Sequence, residues 1–189
     1  MILASQSPRR IELLRETGRS FAVQPADIDE AARPGEDPFA LVGRLAEEKA
    51  RHVAAAAAAG ELVLAADTVV ALDGRILGKP AGDEEARSML HALSGRVHAV
   101  ATGVALARAG AAPELLERFV DTCEVRFHEL TDEEVDDYVA SGEPADKAGA
   151  YGIQGAGGRL LVHSIHGDFY TVVGLPIARV HRMLRALGA

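Results

Sequence analysis

Apolar and polar positions follow two periods along the chain, which predict strands and helices in turn. Short apolar or alternating runs bounded by turn residues predict strands at residues 1–4, 21–24, 62–72, 75–77, 96–107, 115–129 and 160–165. Apolar residues at three- and four-residue spacing predict helices at residues 8–17, 38–59, 83–93 and 131–141, and from residue 176 onward. Strands and helices in this succession are typical of an α/β fold, here with a mixed sheet whose two long strands form an antiparallel pair.

Local signals support several of these bounds. Ser7 stands where it can cap the first helix, with Pro8 in the first turn, where a missing N–H costs nothing. Thr131 and Glu134 have the spacing of a capping box. Residues 142–158 combine glycines with polar side chains, which predicts a long loop of the kind that often carries function.

The composition is that of an ordinary globular protein. The 189 residues are 48% hydrophobic and 25% charged, which suits one sizeable core and excludes a disordered or fibrous chain. The net charge of -8 argues against a protein that neutralises a long nucleic-acid backbone. A small anionic ligand is still compatible with this charge if basic residues cluster around it and a divalent cation offsets the carboxylates. We therefore expect a small-molecule ligand and no nucleic-acid partner.

Cysteine usage and hydropathy bear on the compartment. The lone Cys123 permits no intramolecular disulfide and lies in a strand-like alternation, so a buried filler in a reducing compartment is its simplest interpretation. No stretch approaches the roughly 18 apolar residues of a membrane span, and the short apolar run at residues 1–4 is soon followed by Arg9. We expect a cytoplasmic protein without a membrane partner, and a homodimer as the common default.

Charged residues in unusual places supply the candidate chemistry. Arg9 and Arg10 stand at a helix start, where amide N–H groups and the positive end of the helix dipole favour phosphate oxygens, which predicts a phosphorylated ligand. Asp67 interrupts the apolar run of residues 62–72, so it is expected to be paired, metal-bound or catalytic unless it caps a turn at a strand end. Glu30 closes a polar stretch that, taken alone, is typical of a solvated loop.

Lysine is scarce, with three residues against seventeen arginines. Lys49 shares a helical stripe with leucines, Lys79 lies at a strand end and Lys147 lies in the glycine-rich loop. Each position allows either a functional role or a surface role. Residues 74–80 lack both the length and the Ser/Thr of a P-loop, and the sequence contains no zinc-hydrolase, serine-hydrolase or dinucleotide-binding motif.

Seven short motifs together resemble the Maf family of nucleoside triphosphate pyrophosphatases, in the family's order and along nearly the whole chain. The motifs are Leu3-Ala-Ser-Gln-Ser-Pro-Arg-Arg10, Arg44-Leu-Ala-Glu-Glu-Lys-Ala50, Ala66-Asp-Thr-Val-Val70, Leu77-Gly-Lys-Pro80, Ser94-Gly-Arg-Val-His98, Asp146-Lys-Ala-Gly-Ala-Tyr-Gly-Ile-Gln-Gly155 and Val172-Val-Gly-Leu-Pro176. Each motif alone is weak, but seven in register are not expected by chance. The resemblance implies a single bilobed domain over residues 1–189, with a mixed, strongly curved β-sheet flanked by helices, in a Maf/ITPase-like fold.

The resemblance also implies a reaction and a set of site residues. Asp67 would be the general base for a water that attacks the α-phosphorus, and the products would be a nucleoside monophosphate and pyrophosphate. A divalent cation, Mg²⁺ or Mn²⁺, would assist, with Glu30 and Asp67 as its ligands. The polar phosphate site would comprise Ser5, Arg9, Arg10, Glu30, Lys49 and Lys79.

The resemblance further implies which nucleotide base the protein recognises, through three residues. Arg9, Thr68 and Gln154 are similar to the subgroup that acts on dTTP and UTP, whereas the relative that prefers 7-methyl-GTP carries Trp, Gln and Glu there. Gln154 offers both a donor and an acceptor, which suits the imide edge of uracil or thymine, including modified pyrimidine nucleotides.

Two alternatives stay open at this point. The chain could be a non-catalytic nucleotide-binding regulator of cell division, or the same enzyme acting on a non-standard purine nucleotide. The acids and bases that turnover requires are all present, which favours catalysis over binding alone. If the enzyme interpretation holds, we expect Arg9, Lys79 and Asp67 to converge on one cleft.

Overall fold

Seven strands form one sheet within residues 1–188, which the structure, a computed structural model, describes. They are β1 (Ile2–Leu3), β2 (Ala22–Val23), β3 (Leu62–Leu72), β4 (Arg75–Leu77), β5 (Val97–Arg108), β6 (Glu114–Phe127) and β7 (Val162–His166). Their order is β2-β1-β3-β5-β6-β7, and β4 pairs with β3. Strand β1 runs parallel to β2 and β3, whereas the pairs β3–β4 and β6–β7 are antiparallel. The predicted α/β fold with a mixed sheet is confirmed.

The two longest strands are neighbours in this sheet. Strands β5 and β6 are joined by residues 109–113 alone. Such a short connection does not allow the crossover that parallel strands need, so the pair is antiparallel, as predicted.

Seven α-helices lie along the described residues 1–188. They are α1 (Pro8–Glu16), α2 (Pro38–Ala56), α3 (Asp83–Leu93), α4 (Asp132–Ala140), α5 (Gly158–Leu161), α6 (Phe169–Val173) and α7 (Ile177–Ala186), and two 3₁₀ turns cover Glu143–Asp146 and Ala148–Ala150. The predicted capping box at the start of α4 is present. Within this described range, no helix has the length and apolar character needed to cross a membrane.

Helices α5 and α6 were not predicted. Helix α5 occupies the residues where the pattern predicted a loop end and the start of a strand, so β7 begins at Val162. Helix α6 follows Asp168, whose carboxylate accepts a hydrogen bond from the N–H of Tyr170 at 2.9 Å. Both helices are too short to show a helical period, so local capping and packing determine them.

The chain divides into two compact units. Unit 1 comprises Met1–Asp67, Thr102–Asp121 and the C-terminal segment from Gly174, and unit 2 comprises Thr68–Ala101 and Thr122–Val173. A core cluster of unit 1 is made of small side chains, including Ala4, Ala46, Ala50, Ala65, Ala105 and Ala107. The core of unit 2 contains larger ones, including Leu90, Leu93, Phe127, Tyr138 and Tyr151.

Glycines bring α2 close to β5 and β6 in unit 1. A Cβ atom on Gly103 would lie 2.1 Å from the carbonyl oxygen of Val42, and one on Gly43 would lie 3.2 Å from Cγ2 of Val120. A side chain at Gly103 would therefore push α2 away from the strand. The same helix carries Lys49 two turns further on, so this close approach sets the depth at which Lys49 lies.

Candidate active site

Lys49 lies at the centre of a group of three residues in unit 1, Glu30, Lys49 and Asp67, which we call the lysine cluster. Lys49 is on the buried face of α2 and is only 7% exposed. Its Nζ lies 2.9 Å from Glu30 Oε1 and 2.7 Å from Asp67 Oδ1. A buried ammonium needs such partners because water does not solvate it there. One cation thus holds two carboxylates side by side.

Asp67 is an interior residue of β3. The strand runs from Leu62 to Leu72, so Asp67 is not at a strand end, and the alternative that it caps a turn is wrong. Its neighbours Ala66 and Val69 are buried, and its own side chain is 13% exposed. The carboxylate is therefore largely enclosed, paired with an ammonium and still in reach of solvent on one side.

The start of α1 corrects one expectation. The Ser7 side chain makes no cap hydrogen bond, and the Ser7 N–H instead donates to Ser5 Oγ at 3.2 Å. The same Oγ accepts from Nη1 of Arg10 at 3.4 Å. Pro8 at the first helical position has no N–H to satisfy. Because no side chain caps α1, the positive end of this helix is open to an anionic ligand.

The two arginines of α1 have different surroundings. Arg10 donates from Nε to the carbonyl oxygen of Gly174 at 2.8 Å. Burial lowers the pKa of Arg10 below its ordinary value, the carboxylates of Asp67 and Glu30 act in the opposite direction, and the positive charge of Arg9 adds to the lowering. Arg9 itself has no hydrogen-bond or ion-pair partner in residues 1–188. The start of α1 and the lysine cluster thus share one electrostatic environment.

Arg44 on α2 fixes the loop that carries Glu30, and the sequence reasoning did not single it out. Nε and Nη2 of Arg44 donate to the two carboxylate oxygens of Glu36 at 2.6 and 2.7 Å. Nη2 also donates to the carbonyl oxygen of Ala31 at 3.1 Å. Nη1 donates to a carboxylate oxygen of Glu48 at 2.9 Å. The hydrogen bond from Arg44 lowers the pKa of Glu36 to about 2. The i,i+4 pair with Glu48 is visible in the sequence, but the pairing with the loop is not.

Three of the expected site residues belong to unit 2. Thr68 is half-buried in β3, and Lys79 is exposed just after β4, without an ion-pair partner in residues 1–188. Gln154 is exposed in residues 152–158, which we call the glycine loop. Its side-chain amide makes no hydrogen bond in the described part of the chain. Convergence of the two sets of residues on one cleft stays a prediction.

The donor chemistry of the lysine cluster fits a magnesium or manganese ion. Residues 1–188 contain no group of three or more His, Cys, Asp or Glu side chains that could enclose a metal ion by themselves. Glu30 and Asp67 do place two carboxylates around one ammonium. Mg²⁺ is commonly held by one or two carboxylates together with waters and substrate phosphates, so two hard oxygen donors completed by a phosphate ligand are sufficient.

Solved structures of other proteins have a similar fold. A HAM1 protein from Coxiella burnetii matches with a TM-score of 0.55 at 21% sequence identity, and the comparison covers 98% of each chain. The Ham1 protein of Staphylococcus aureus matches with a TM-score of 0.54 at 14% identity, again over 98% of each chain. At such low identity the likeness is one of fold alone, and the chain has a Ham1-like α/β fold.

Sequence comparison identifies the family. The family model described as Maf-like protein matches residues 1–187. A protein of Anaeromyxobacter dehalogenans (strain 2CP-C) named dTTP/UTP pyrophosphatase is 51% identical, over 100% of this chain and 94% of its own. Relatives of the same name from Koribacter versatilis and Halalkalibacterium halodurans are each 50% identical over 100% of this chain, and over 94% and 96% of their own. The chain belongs to the Maf family, as its motifs predicted.

Proposed function

We propose that this protein is a nucleoside triphosphate pyrophosphatase that hydrolyses dTTP and UTP to the nucleoside monophosphate and pyrophosphate. The observation that carries the proposal is the lysine cluster, in which Lys49 holds Glu30 and Asp67 together beside the uncapped start of α1. Full-length relatives about 50% identical are named dTTP/UTP pyrophosphatases, which supports the same substrates for this chain.

The residues of unit 1 supply what the reaction needs. In the proposed step a water oxygen forms a bond to the α-phosphorus, the bond from that phosphorus to the bridging oxygen of pyrophosphate breaks, and the water proton passes to Asp67. Such displacements depend on charge neutralisation and on an oriented nucleophile. Arg9 and Arg10 would neutralise phosphate oxygens, and Ser5 would donate a hydrogen bond at the same place. Lys49 keeps Asp67 oriented through the 2.7 Å ion pair.

A divalent cation, Mg²⁺ or Mn²⁺, is part of the proposal, with Glu30 and Asp67 as its protein ligands. When bound, such an ion polarises the phosphate oxygens and draws charge from the leaving group. We expect hydrolysis to stop in excess EDTA and to return when Mg²⁺ or Mn²⁺ is restored, whereas activity that persists in EDTA would contradict the metal assignment.

Unit 2 would supply recognition of the base and one further cation. Gln154 has a side-chain amide that is exposed and unpaired in residues 1–188, and a primary amide can donate to and accept from the imide edge of uracil or thymine. We propose that Thr68 and Arg9 complete the base preference and that Lys79 binds a phosphate. In this proposal the neutral amide of Gln154 forms hydrogen bonds with the base, while cations such as Lys79 bind the phosphates.

The test is pyrophosphate release from a panel of triphosphates with Mg²⁺ or Mn²⁺. We expect dTTP and UTP to be the best substrates and Asp67→Asn to lower kcat by about 1,000-fold, because a general base contributes on that order. The matched control is Asp73→Asn, on an exposed aspartate of the β3–β4 turn that pairs with Arg96 at 2.7 Å, which should retain full activity.

Each outcome of this panel is decisive. No pyrophosphate from any nucleotide would overturn the proposal and leave the non-catalytic regulator of cell division. Preference for a non-standard purine nucleotide would keep the reaction and overturn the substrate. If Asp67→Asn hydrolyses the nucleotides as fast as the wild type, Asp67 is not the general base.

The compartment and the oligomeric state of the enzyme are also part of the proposal. We propose a cytoplasmic homodimer without a nucleic-acid partner, and the net charge of -8 supports the last point. Light scattering of the purified protein would test the dimer: we expect twice the mass of one chain, and the mass of a single chain would contradict it.

A further inference from the structure

The side chain of Glu143 in unit 2 binds backbone N–H groups of the glycine loop. Glu143 opens the 3₁₀ turn that follows α4, and its side chain reaches residues that lie well beyond it in the sequence. Oε1 accepts a hydrogen bond from the N–H of Gly157 at 3.1 Å, and Oε2 accepts one from the N–H of Gly158 at 3.2 Å. Hydrogen bonds to an ionised acceptor are about twice as strong as neutral ones.

The glycines allow the carboxylate to approach this closely. A Cβ atom on Gly155 would lie 2.1 Å from Glu143 Oε2, and one on Gly157 would lie 2.6 Å from Cδ2 of Tyr138. A Cβ atom on Gly158 would meet the carbonyl oxygen of Gly152 at 2.2 Å. The loop therefore lacks side chains where it packs on Glu143 and on itself.

The loop is anchored on both sides of Gln154. Before it, the N–H of Gly152 donates to the hydroxyl oxygen of Tyr138 at 3.1 Å. After it, Arg159 donates to the carbonyl oxygens of Gln154 and Gly155, each at 3.0 Å. The backbone of Gln154 is thus fixed, while its side chain is exposed and makes no hydrogen bond within residues 1–188.

The electrostatic surroundings keep Glu143 in its charged, acceptor-only form. Burial raises the pKa of Glu143, but the N–H groups of Gly157, Gly158 and Ala156 and the positive charge of Lys147 together outweigh this, and the pKa lies below its ordinary value. Lys147 donates from Nζ to the Glu143 carbonyl oxygen and pairs with Asp146 at 2.6 Å. Lys147 therefore supports the Glu143 turn.

We propose that Glu143 is a positioning residue for base selectivity, which acts by holding the glycine loop so that the Gln154 amide faces the pyrimidine edge in one orientation. The inference rests on the proposed function, because it concerns how that enzyme selects its base. Preorganising a recognition group in this way reduces the entropy lost on binding.

The test is the ratio of kcat/KM for UTP to that for CTP, which differ at the edge that Gln154 would read. We expect Glu143→Ala to lower this ratio about tenfold, because residues that act as one unit couple with energies of this order. Glu143→Gln keeps one acceptor oxygen and should lower the ratio less. Gln154→Ala should lower it as far as Glu143→Ala, and the double variant should lower it no further.

The matched control is Glu134→Ala. Glu134 is also a carboxylate of unit 2 that accepts a backbone N–H, from Thr131 at 2.8 Å, but it caps α4 and does not hold the glycine loop. We expect this variant to melt at a lower temperature with the UTP to CTP ratio unchanged. If Glu143→Ala does not fold, Glu143→Gln carries the test.

The outcomes separate the two proposals. Equal losses on UTP and CTP in the Glu143 variants would show a merely structural role and overturn the inference. It would also be overturned if Gln154→Ala left the ratio intact, or if the effects of the two single variants multiplied in the double variant. A wild-type protein that hydrolyses neither UTP nor dTTP would instead overturn the proposed function, and with it the inference.

Discussion

The lysine cluster of unit 1 is held together by charged side chains, whereas the glycine loop of unit 2 is a glycine-rich segment whose backbone N–H groups donate to one carboxylate. Lys49 is on helix α2 and Asp67 is on strand β3, and a direct ion pair of 2.7 Å joins them. The glycine loop is held by two N–H groups that donate to Glu143, and the side chain it presents is the neutral Gln154.

The difference follows from what each region is proposed to bind. Phosphates are the same in every nucleotide, so fixed charges on rigid elements suffice for them, and these charges can be buried in pairs. Bases differ by single donors and acceptors, so their recognition needs a neutral group in a defined orientation. Four substitutions or conditions test this division, from the largest expected effect to the smallest.

Gly103→Ala should disturb unit 1 most. The new Cβ atom would lie 2.1 Å from the carbonyl oxygen of Val42, so α2 must move, and we expect a loss of about 3 kcal/mol in the free energy of unfolding. Activity should fall with it because Lys49 moves with α2. Gly110→Ala, where a Cβ atom meets nothing within 4 Å, is the control and should leave urea denaturation unchanged. An equally stable Gly103→Ala variant would contradict the close approach.

Acid should destabilise unit 2 through a buried neutral histidine. His98 is 3% exposed, its Nε2 lies 2.8 Å from the hydroxyl oxygen of Tyr151, and its ring packs edge-on against Phe127. Burial lowers the pKa of His98 to about 4, from the 6.5 of a free side chain. Between pH 6.5 and 4, His98 binds a proton in the unfolded chain but not in the folded protein. The free energy of unfolding therefore falls as the pH falls from 6.5 to 4, by about 3 kcal/mol in total.

Urea denaturation across this pH range measures the effect. His98→Gln should lose the pH dependence of the unfolding free energy in the window from 6.5 to 4, whatever its absolute stability. His52→Gln is the control, because it makes the same change on an exposed histidine of α2. If the free energy of unfolding of His98→Gln depends on pH as steeply as that of the wild type, groups other than His98 cause the acid sensitivity.

Lys79→Met should weaken every nucleotide alike, because the exposed Lys79 is proposed to bind a phosphate and not the base. Hydrogen bonds to charged groups contribute about 2 kcal/mol, so we expect kcat/KM to fall about 30-fold on UTP and CTP equally. Steady-state kinetics on both nucleotides measure this. A loss confined to one nucleotide would show that Lys79 reads the base and would break the division.

Gln154→Glu should have the smallest effect and act on selectivity alone. An ionised carboxylate accepts but does not donate, so we expect the UTP to CTP ratio of kcat/KM to fall about tenfold while hydrolysis continues. Gln24→Glu, the same chemical change on an exposed residue of unit 1, should leave the ratio unchanged. An unchanged ratio in Gln154→Glu would remove Gln154 from base recognition.

The sequence predicted regular elements better than it predicted contacts. Strand β3 and helix α3 have the predicted bounds, because eleven residues suffice to show a strand or a helical period. A charge within an apolar pattern singled out Asp67, a signal that burial makes costly and therefore informative. The pattern left the role of Lys49 open, and its place in the polar site was implied by the family resemblance.

What the sequence did not predict depends on distant parts of the chain. The clamp of Arg44 on Glu36 and Ala31 and the contacts of Glu143 with Gly157 and Gly158 join residues that carry no shared local pattern. The predicted cap by the Ser7 side chain is absent, and the N–H of Ser7 donates to Ser5 Oγ, which lies just outside the helix. These are tertiary contacts that propensity does not encode.

Hydrolysis of UTP in water enriched in oxygen-18 tests the central claim most directly. If the residues around Lys49 direct water to the α-phosphorus, mass spectrometry will find the label in UMP and none in pyrophosphate, and Asp67→Asn will slow the labelling with the reaction. Label in pyrophosphate, or release of single phosphates, would show attack at another phosphorus and contradict the account.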